Sequence, residues 1–192
     1  MIIGDSDLFA IESEITTAFP SLSQLALGFF AIHIGGRAFG VRAPDASMLG
    51  CSFDEVNNRL RRRGTHFVAV LAAIEASDIM NAYLDAFYRD SSRIDYFGLS
   101  SEAFVEALLS NAVIWAPDGD EAFDDGSHIL QFDIGGMVRL IAFVNEHTSR
   151  SGIGAISEKW LNADTFYQIL ARWSELFTAE WAKELERENS IR

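Results

Sequence analysis

Thiol chemistry is almost absent from this chain, whose 192 residues include a single cysteine, Cys51. One cysteine excludes an internal disulfide and a zinc ribbon alike, and it fits a reducing, cytoplasmic compartment. Long apolar runs are missing too. The run Leu25 to Ile34 falls well short of a bilayer span, and no basic leader precedes an apolar run at Met1-Ile2-Ile3-Gly4-Asp5. Positive charge is scarce: 15 lysines and arginines stand against 28 aspartates and glutamates, a net charge of −13. Such a field repels phosphate backbones and anionic lipid and attracts basic partners, so neither nucleic acid nor membrane is expected as a ligand.

Catalytic and cofactor signatures are equally missing. His33, His66, His128 and His147 are scattered, with no His-Glu-x-x-His and no pair at helical spacing to hold zinc. Gly-x-Ser-x-Gly does not occur. The pairs Gly35-Gly36 and Gly135-Gly136 lie between strand-like runs rather than ahead of a helix, which makes them turns and not phosphate loops. No catalytic residue, metal or cofactor is therefore expected.

What is present is a core. A hydrophobic content of 49% is ample for one, and the length asks for a single domain over residues 1–192. Phe9, Ile11, Ser13 and Ile15 alternate with Ala10, Glu12 and Glu14, the pattern of a strand with one wet face. A two-residue turn at Gly35-Gly36 then pairs Ile34 with Arg37, Ile32 with Phe39 and Phe30 with Val41. Strand patterns return at Ile129 to Ile134 and Val138 to Val144. Here a three-residue turn, Gly135-Gly136-Met137, pairs Phe132 with Leu140 and Asp133 with Arg139, keeping like with like and aiming the acidic loop that ends at Ser127. A two-residue turn would set Phe132 against Arg139.

Helical spacing dominates the middle and the end. Ser52-Phe53-Asp54-Glu55 matches a capping box, with Phe53, Val56 and Leu60 following on one face and Gly64 as a stop. Arg59, Arg61, Arg62 and Arg63 gather near that stop, where the helix dipole favours cations, and are expected to be solvated. Cys51 beside the cap is expected to be half-buried and inert. Ile79, Met80, Tyr83, Leu84, Phe87 and Tyr88 form one helical stripe, Phe104 and Leu108 another after Ser100-Ser101-Glu102, and Asp90 to Arg93 a loop between them. From about Asp164 to Arg187, Phe166, Ile169, Leu170, Trp173, Leu176, Phe177 and Trp181 form a broad stripe that should lie across the sheet. Blocks of strands and helices point to α+β: a mainly antiparallel sheet of about five or six strands, packed by the long C-terminal helix and several shorter ones.

The most distinctive segment runs from Trp115 to His128 and carries Asp118, Asp120, Glu121, Asp124 and Asp125 on a glycine-punctuated connection into an apolar strand. Loops seated on a rigid scaffold are where binding groups concentrate. An EF-hand requires oxygen donors at the first, third and fifth positions, and counting from Asp118 puts Ala122 fifth, so that motif fails. Three readings stay open from residue chemistry: a partner-binding loop, a carboxylate-dependent hydrolase or looser divalent-cation site, and a solvated loop that keeps the domain soluble.

Met1-Ile2-Ile3-Gly4-Asp5, Phe9-Ala10-Ile11-Glu12-Ser13-Glu14-Ile15, His33-Ile34-Gly35-Gly36-Arg37, the Trp115 to Ser127 segment and Arg139-Leu140-Ile141-Ala142-Phe143 together resemble the immunity protein 42 family of bacterial polymorphic toxin systems. The resemblance covers nearly the whole chain, and the acidic segment is its most specific part. It implies a stoichiometric inhibitor, not an enzyme, that binds a cognate toxin domain in the cytoplasm of the producing cell. A basic toxin would meet the carboxylates of the acidic segment, which are the candidate toxin-binding residues.

Overall fold

The computed structural model describes residues 1–21, 24–89, 92–116, 121–145 and 155–191. Within them the chain is α+β, with two antiparallel sheets and four α-helices. In the first sheet β1 (Ile2–Asp5), β2 (Phe9–Ala18), β3 (Ala26–Ile34) and β4 (Arg37–Phe39) follow one another, while β5 (Ser47–Met48) shares the far edge of β3 with β4. The second sheet runs β6 (Ile114–Ala116), β7 (Ser127–Ile134), β8 (Met137–Val144) and β9 (Ser157–Asn162). The expected single sheet is thus two. Their inner faces meet in one core: Phe9, Phe30, Ile32 and Phe39 from the first sheet join Ile129, Val138, Leu140 and Leu161 from the second.

Both glycine pairs make the same turn. Gly35 and Gly36 have φ of 64° and 79°, Gly135 and Gly136 of 58° and 82°, and positive φ at both central residues is the type I′ geometry whose twist suits a hairpin. At the first turn the expected pairs form, Ile34 with Arg37 and Ile32 with Phe39. The ladder stops there, and Val41 turns away from Phe30 to donate its amide to the Ala122 carbonyl at 2.8 Å. At the second turn the expected three-residue register is wrong: Ile134 faces Met137, Asp133 faces Val138 and Phe132 faces Arg139. The expectation rested on like side chains facing one another across the ribbon. In fact Leu130, Phe132, Ile141 and Phe143 are buried against helices on one side, while Ile129, Val138, Leu140 and Ala142 are buried in the main core on the other. With both faces covered, apolar pairing no longer discriminates between registers, and the turn decides. Arg139 is accommodated by Glu158 at 2.8 Å, the Ile74 carbonyl at 2.8 Å and the Trp160 ring.

Helix α1 spans Leu49–Arg61, three residues ahead of the expected capping box. Ser52 lies inside the helix with its hydroxyl buried and without a partner among the described residues. Capping is tertiary instead: β5 runs straight into the helix, and the Gly50 amide finds the Gln24 carbonyl at 3.1 Å. Cys51 is exposed rather than half-buried. The stretch after α1 contains a 3-10 turn at Ala69–Leu71, followed by α2 (Ala76–Tyr88) and α3 (Ser101–Ser110). Ser100 caps α3 by accepting from the Ala103 amide at 3.3 Å. Of the expected loop between them, Asp90 and Ser91 lie outside the described residues. Ile79, Met80, Tyr83, Phe104 and Leu108 cover the outer face of the second sheet.

Helix α4 (Ala163–Ile191) starts with Asn162 accepting from the Thr165 amide at 3.2 Å and runs across β2 as expected. Phe166, Leu170, Trp173 and Phe177 are buried on it. Near its far end the Trp181 indole donates to the Phe19 carbonyl at 3.0 Å, and Glu188 accepts from the Ala18 amide at 3.1 Å. No helix among the described residues is long and apolar enough to cross a membrane.

Candidate functional site

The acidic segment is seated on the first sheet. Asp118 and Asp120 lie outside the described residues; Glu121, Asp124 and Asp125 are placed and exposed. Between them the 3-10 turn Glu121–Phe123 buries Ala122 and Phe123, and the Phe123 ring meets Phe30 edge-on at 6.2 Å. Two buried side chains thus anchor a charged loop. Asp125 accepts from the Ser127 amide at 3.0 Å and the Gly40 amide at 3.2 Å, and Glu121 accepts from the Met48 amide at 3.3 Å. Gly40 is required here: its φ is 112°, and a Cβ would stand 2.9 Å from the Ala122 carbonyl oxygen. The seat therefore comes from the first sheet, not from the hairpin register from which the sequence derived it. Asp124 makes no hydrogen bond or ion pair among the described residues and points its charge to solvent.

This arrangement presents charge without enclosing it. The three placed carboxylates are spread over an exposed surface, Glu121 and Asp125 held by different backbone amides and Asp124 turned to solvent, so no water-excluded pair suited to acid–base work arises among them. Nor do the described residues contain a group of three or more His, Cys, Asp or Glu side chains placed to hold a metal ion.

Two polar constellations escaped the sequence reading. On the first sheet Glu12 is nearly buried between His33 and Arg42, each at 2.8 Å. Burial raises the Glu12 carboxyl, but the His33 and Arg42 hydrogen bonds outweigh it and hold the group below the ordinary glutamate range. Register supplies the signal that could have found it, since Glu12 and His33 lie on one face of adjacent strands. The second constellation takes Arg59 out of the solvated arginine cluster. Arg59 is fully buried, donates to Gln131 at 3.0 Å and to the Ala112 and Ile114 carbonyls at 3.2 and 2.8 Å, pairs with Glu55 at 2.9 Å, and stacks on Trp115. Burial pushes its pKa down to about 10, which leaves it protonated at neutral pH. Arg61 and Arg63 are exposed as expected, Arg63 in a surface pair with the exposed Asp164, while the half-buried Arg62 donates to the Ser110 carbonyl at 2.5 Å. Gln131 and Asp133 extend the network to the Tyr167 hydroxyl, at 2.9 and 2.8 Å.

His66 closes this network. It is fully buried, its Nδ1 within 2.9 Å of the Ala112 carbonyl and its Nε2 without a partner among the described residues. Burial and then the Arg59 charge lower its pKa, opposed by Asp133 and the Ala112 and Asn111 carbonyls. The sign of the linkage follows: between the ordinary value of about 6.5 and the lowered one, the unfolded chain binds the proton and the folded chain does not. Stability is expected to fall as pH drops below about 6.5, and His66→Asn, which keeps a donor toward the carbonyls but cannot titrate, is expected to flatten that slope. Urea titrations at pH 7 and pH 5 measure it; an unchanged slope in His66→Asn would move the effect to other groups.

The comparisons with known proteins place the chain among the immunity proteins, the antitoxin components of bacterial toxin systems. Its family is immunity protein 42, whose profile matches residues 1–176, and the chain belongs to it. A solved structure, CdiI from Burkholderia dolosa AUO158, shares the fold, with a TM-score of 0.53, 18% identity, and coverage of 90% of this chain and 97% of that one. No curated protein matches the chain.

Proposed function

We propose that this protein neutralises a cognate toxin domain by binding it one to one, using the acidic face built on Glu121, Asp124 and Asp125 together with Asp118 and Asp120 of the same segment. Family membership carries the immunity function; the anchoring of Ala122 and Phe123, which holds exposed carboxylates on a stiff base, supports this face as the contact. The toxin is basic on the matching surface, because a chain of net charge −13 attracts such a partner through long-range steering. The work is done by the whole chain as a single domain, in the cytoplasm, without turnover and without nucleic acid or membrane as ligand.

The experiment is co-expression with the toxin domain encoded by the adjoining gene, followed by binding kinetics on the purified pair. Survival of the host and a one-to-one complex are expected. The association rate is expected to drop about tenfold or more between low and high salt, and Asp124→Lys to lower it several-fold at low salt while leaving the fold intact. Rates that ignore salt would sink the steering mechanism; failure to rescue the host would sink the neutralisation reading itself.

A further inference from the structure

Beyond the acidic loop, a groove runs between α1 and α3 along the outer edge of β6. It encloses about 350 Å³. Its floor is apolar, made by Leu108, Leu109, Ile114 and Trp115, and its α1 wall carries Cys51 and Glu55, one helical turn apart. Leu109 is 56% exposed, a large apolar side chain with no cover on its outer side among the described residues. It also borders the open face of α3, where Glu102 and Glu106 stand exposed one turn apart beside Val105. Glutamate supplies the charge along this lining. Arg59 is paired with Glu55 behind the groove at 2.9 Å, so the acidic charge that the rim offers an incoming partner is that of the exposed Glu102 and Glu106. Trp115 and Ala116 lead from the groove directly into the acidic segment.

We infer that this groove is the second half of the toxin contact and takes a basic amphipathic segment of the toxin domain. An apolar side chain of that segment covers Leu109, and lysines or arginines face Glu102 and Glu106. This rests on the neutralisation reading above and deepens it. A floor of apolar side chains within an acidic rim matches such a segment in both properties, and an anchor in a desolvated pocket beside a charged rim is how interfaces concentrate their affinity. Arg59 also explains why the edge of β6 is not the contact: its guanidinium occupies the carbonyls that a partner strand would need.

Cys51 provides the readout, since it is the chain's single thiol, lines the groove and is exposed. The purified full chain is labelled with iodoacetamide, free and in complex with the toxin domain of the adjoining gene, and modification of the Cys51 peptide is followed by mass spectrometry. At least tenfold slower labelling in the complex is expected. Leu109→Arg is expected to weaken binding at least tenfold and Glu102→Lys with Glu106→Lys to weaken it further, each with an unchanged thermal midpoint because these side chains are exposed. A complex in which Cys51 reacts as fast as in the free protein, with Leu109→Arg binding as tightly as the parent, overturns the groove and leaves neutralisation standing. Loss of binding on Asp124→Lys alone, with the groove variants unaffected, does the same. Absence of any complex overturns both.

Discussion

Replacing Arg59 with methionine is expected to lower the free energy of unfolding by about 3 kcal/mol. Methionine matches the length of the side chain and preserves its packing on Trp115, so the loss isolates the guanidinium. That group satisfies three acceptors inside the protein: Gln131 and the Ala112 and Ile114 carbonyls. The Ala112 carbonyl keeps His66 at 2.9 Å, whereas Gln131 and the Ile114 carbonyl each lose this donor at about 1–3 kcal/mol, a sum offset in part because methionine need not be desolvated as a cation. Glu55→Gln is expected to cost less than about 1 kcal/mol, since Glu55 is 33% exposed and water replaces its partner. Arg59→Lys is expected to fall between, because a single ammonium cannot span the carbonyls on both sides. Urea denaturation with a constant m-value measures all three. A methionine variant as stable as the parent would mean that apolar contacts fully replace the arginine, and that its place in the fold is one of specificity rather than stability.

Arg59 also marks where sequence reading reaches its limit. Its neighbours in the chain are Arg61, Arg62 and Arg63, and local pattern alone makes such a run a solvated helix end. Apart from Glu55 one turn away, its partners lie 53 to 72 residues off, at Ala112, Ile114 and Gln131. Nothing within a helical window signals them. The hairpin of β3 and β4 was legible because turn chemistry and alternation agreed there. At Gly135-Gly136 the same turn was misread because alternation was trusted over glycine, and alternation carries no register information once both faces are covered. The fold class followed from blocks of strand and helix patterns, and the long stripe of α4 was legible almost whole, because periodicity over that length is hard to mistake. Short edge strands such as β5 and β9 were not, since few residues leave little pattern to count. At the site, the carboxylates were visible as composition. Their seat on Gly40, 85 residues from Asp125, and the groove between two helices far apart in the chain were products of tertiary packing.

Trp173→Ala is expected to be the most destabilising single change on α4, costing about 3–5 kcal/mol. The side chain is fully buried where four elements meet: its indole donates to Ser13 of β2 at 3.0 Å, its ring meets Phe30 of β3 edge-on at 5.2 Å, and it packs on Phe53 of α1 and on Phe177 one turn along its own helix. Truncation removes the largest side chain at this junction and leaves a cavity that surrounding aromatic rings cannot collapse to fill without leaving their own contacts. It also strands the Ser13 hydroxyl, which is 1% exposed. Trp173→Phe separates the two effects. It retains much of the ring volume and loses the N–H donor, so its cost is expected to stay near 1–2 kcal/mol if packing dominates. Pairing it with Ser13→Ala, which removes the acceptor, is expected to recover part of that loss, because neither member is then left unsatisfied. Equal costs for Trp173→Phe and Trp173→Ala would show that the hydrogen bond, and not the filled space, fastens α4 to the first sheet. Since the Glu121–Phe123 turn packs on Phe30, whose ring also meets Trp173, loosening this junction is also expected to free the acidic segment. Faster amide exchange at Ala122 and Phe123 in Trp173→Ala, beyond that of a distant core variant of matched stability such as Tyr83→Ala, is the measurement that tests the connection between helix and loop.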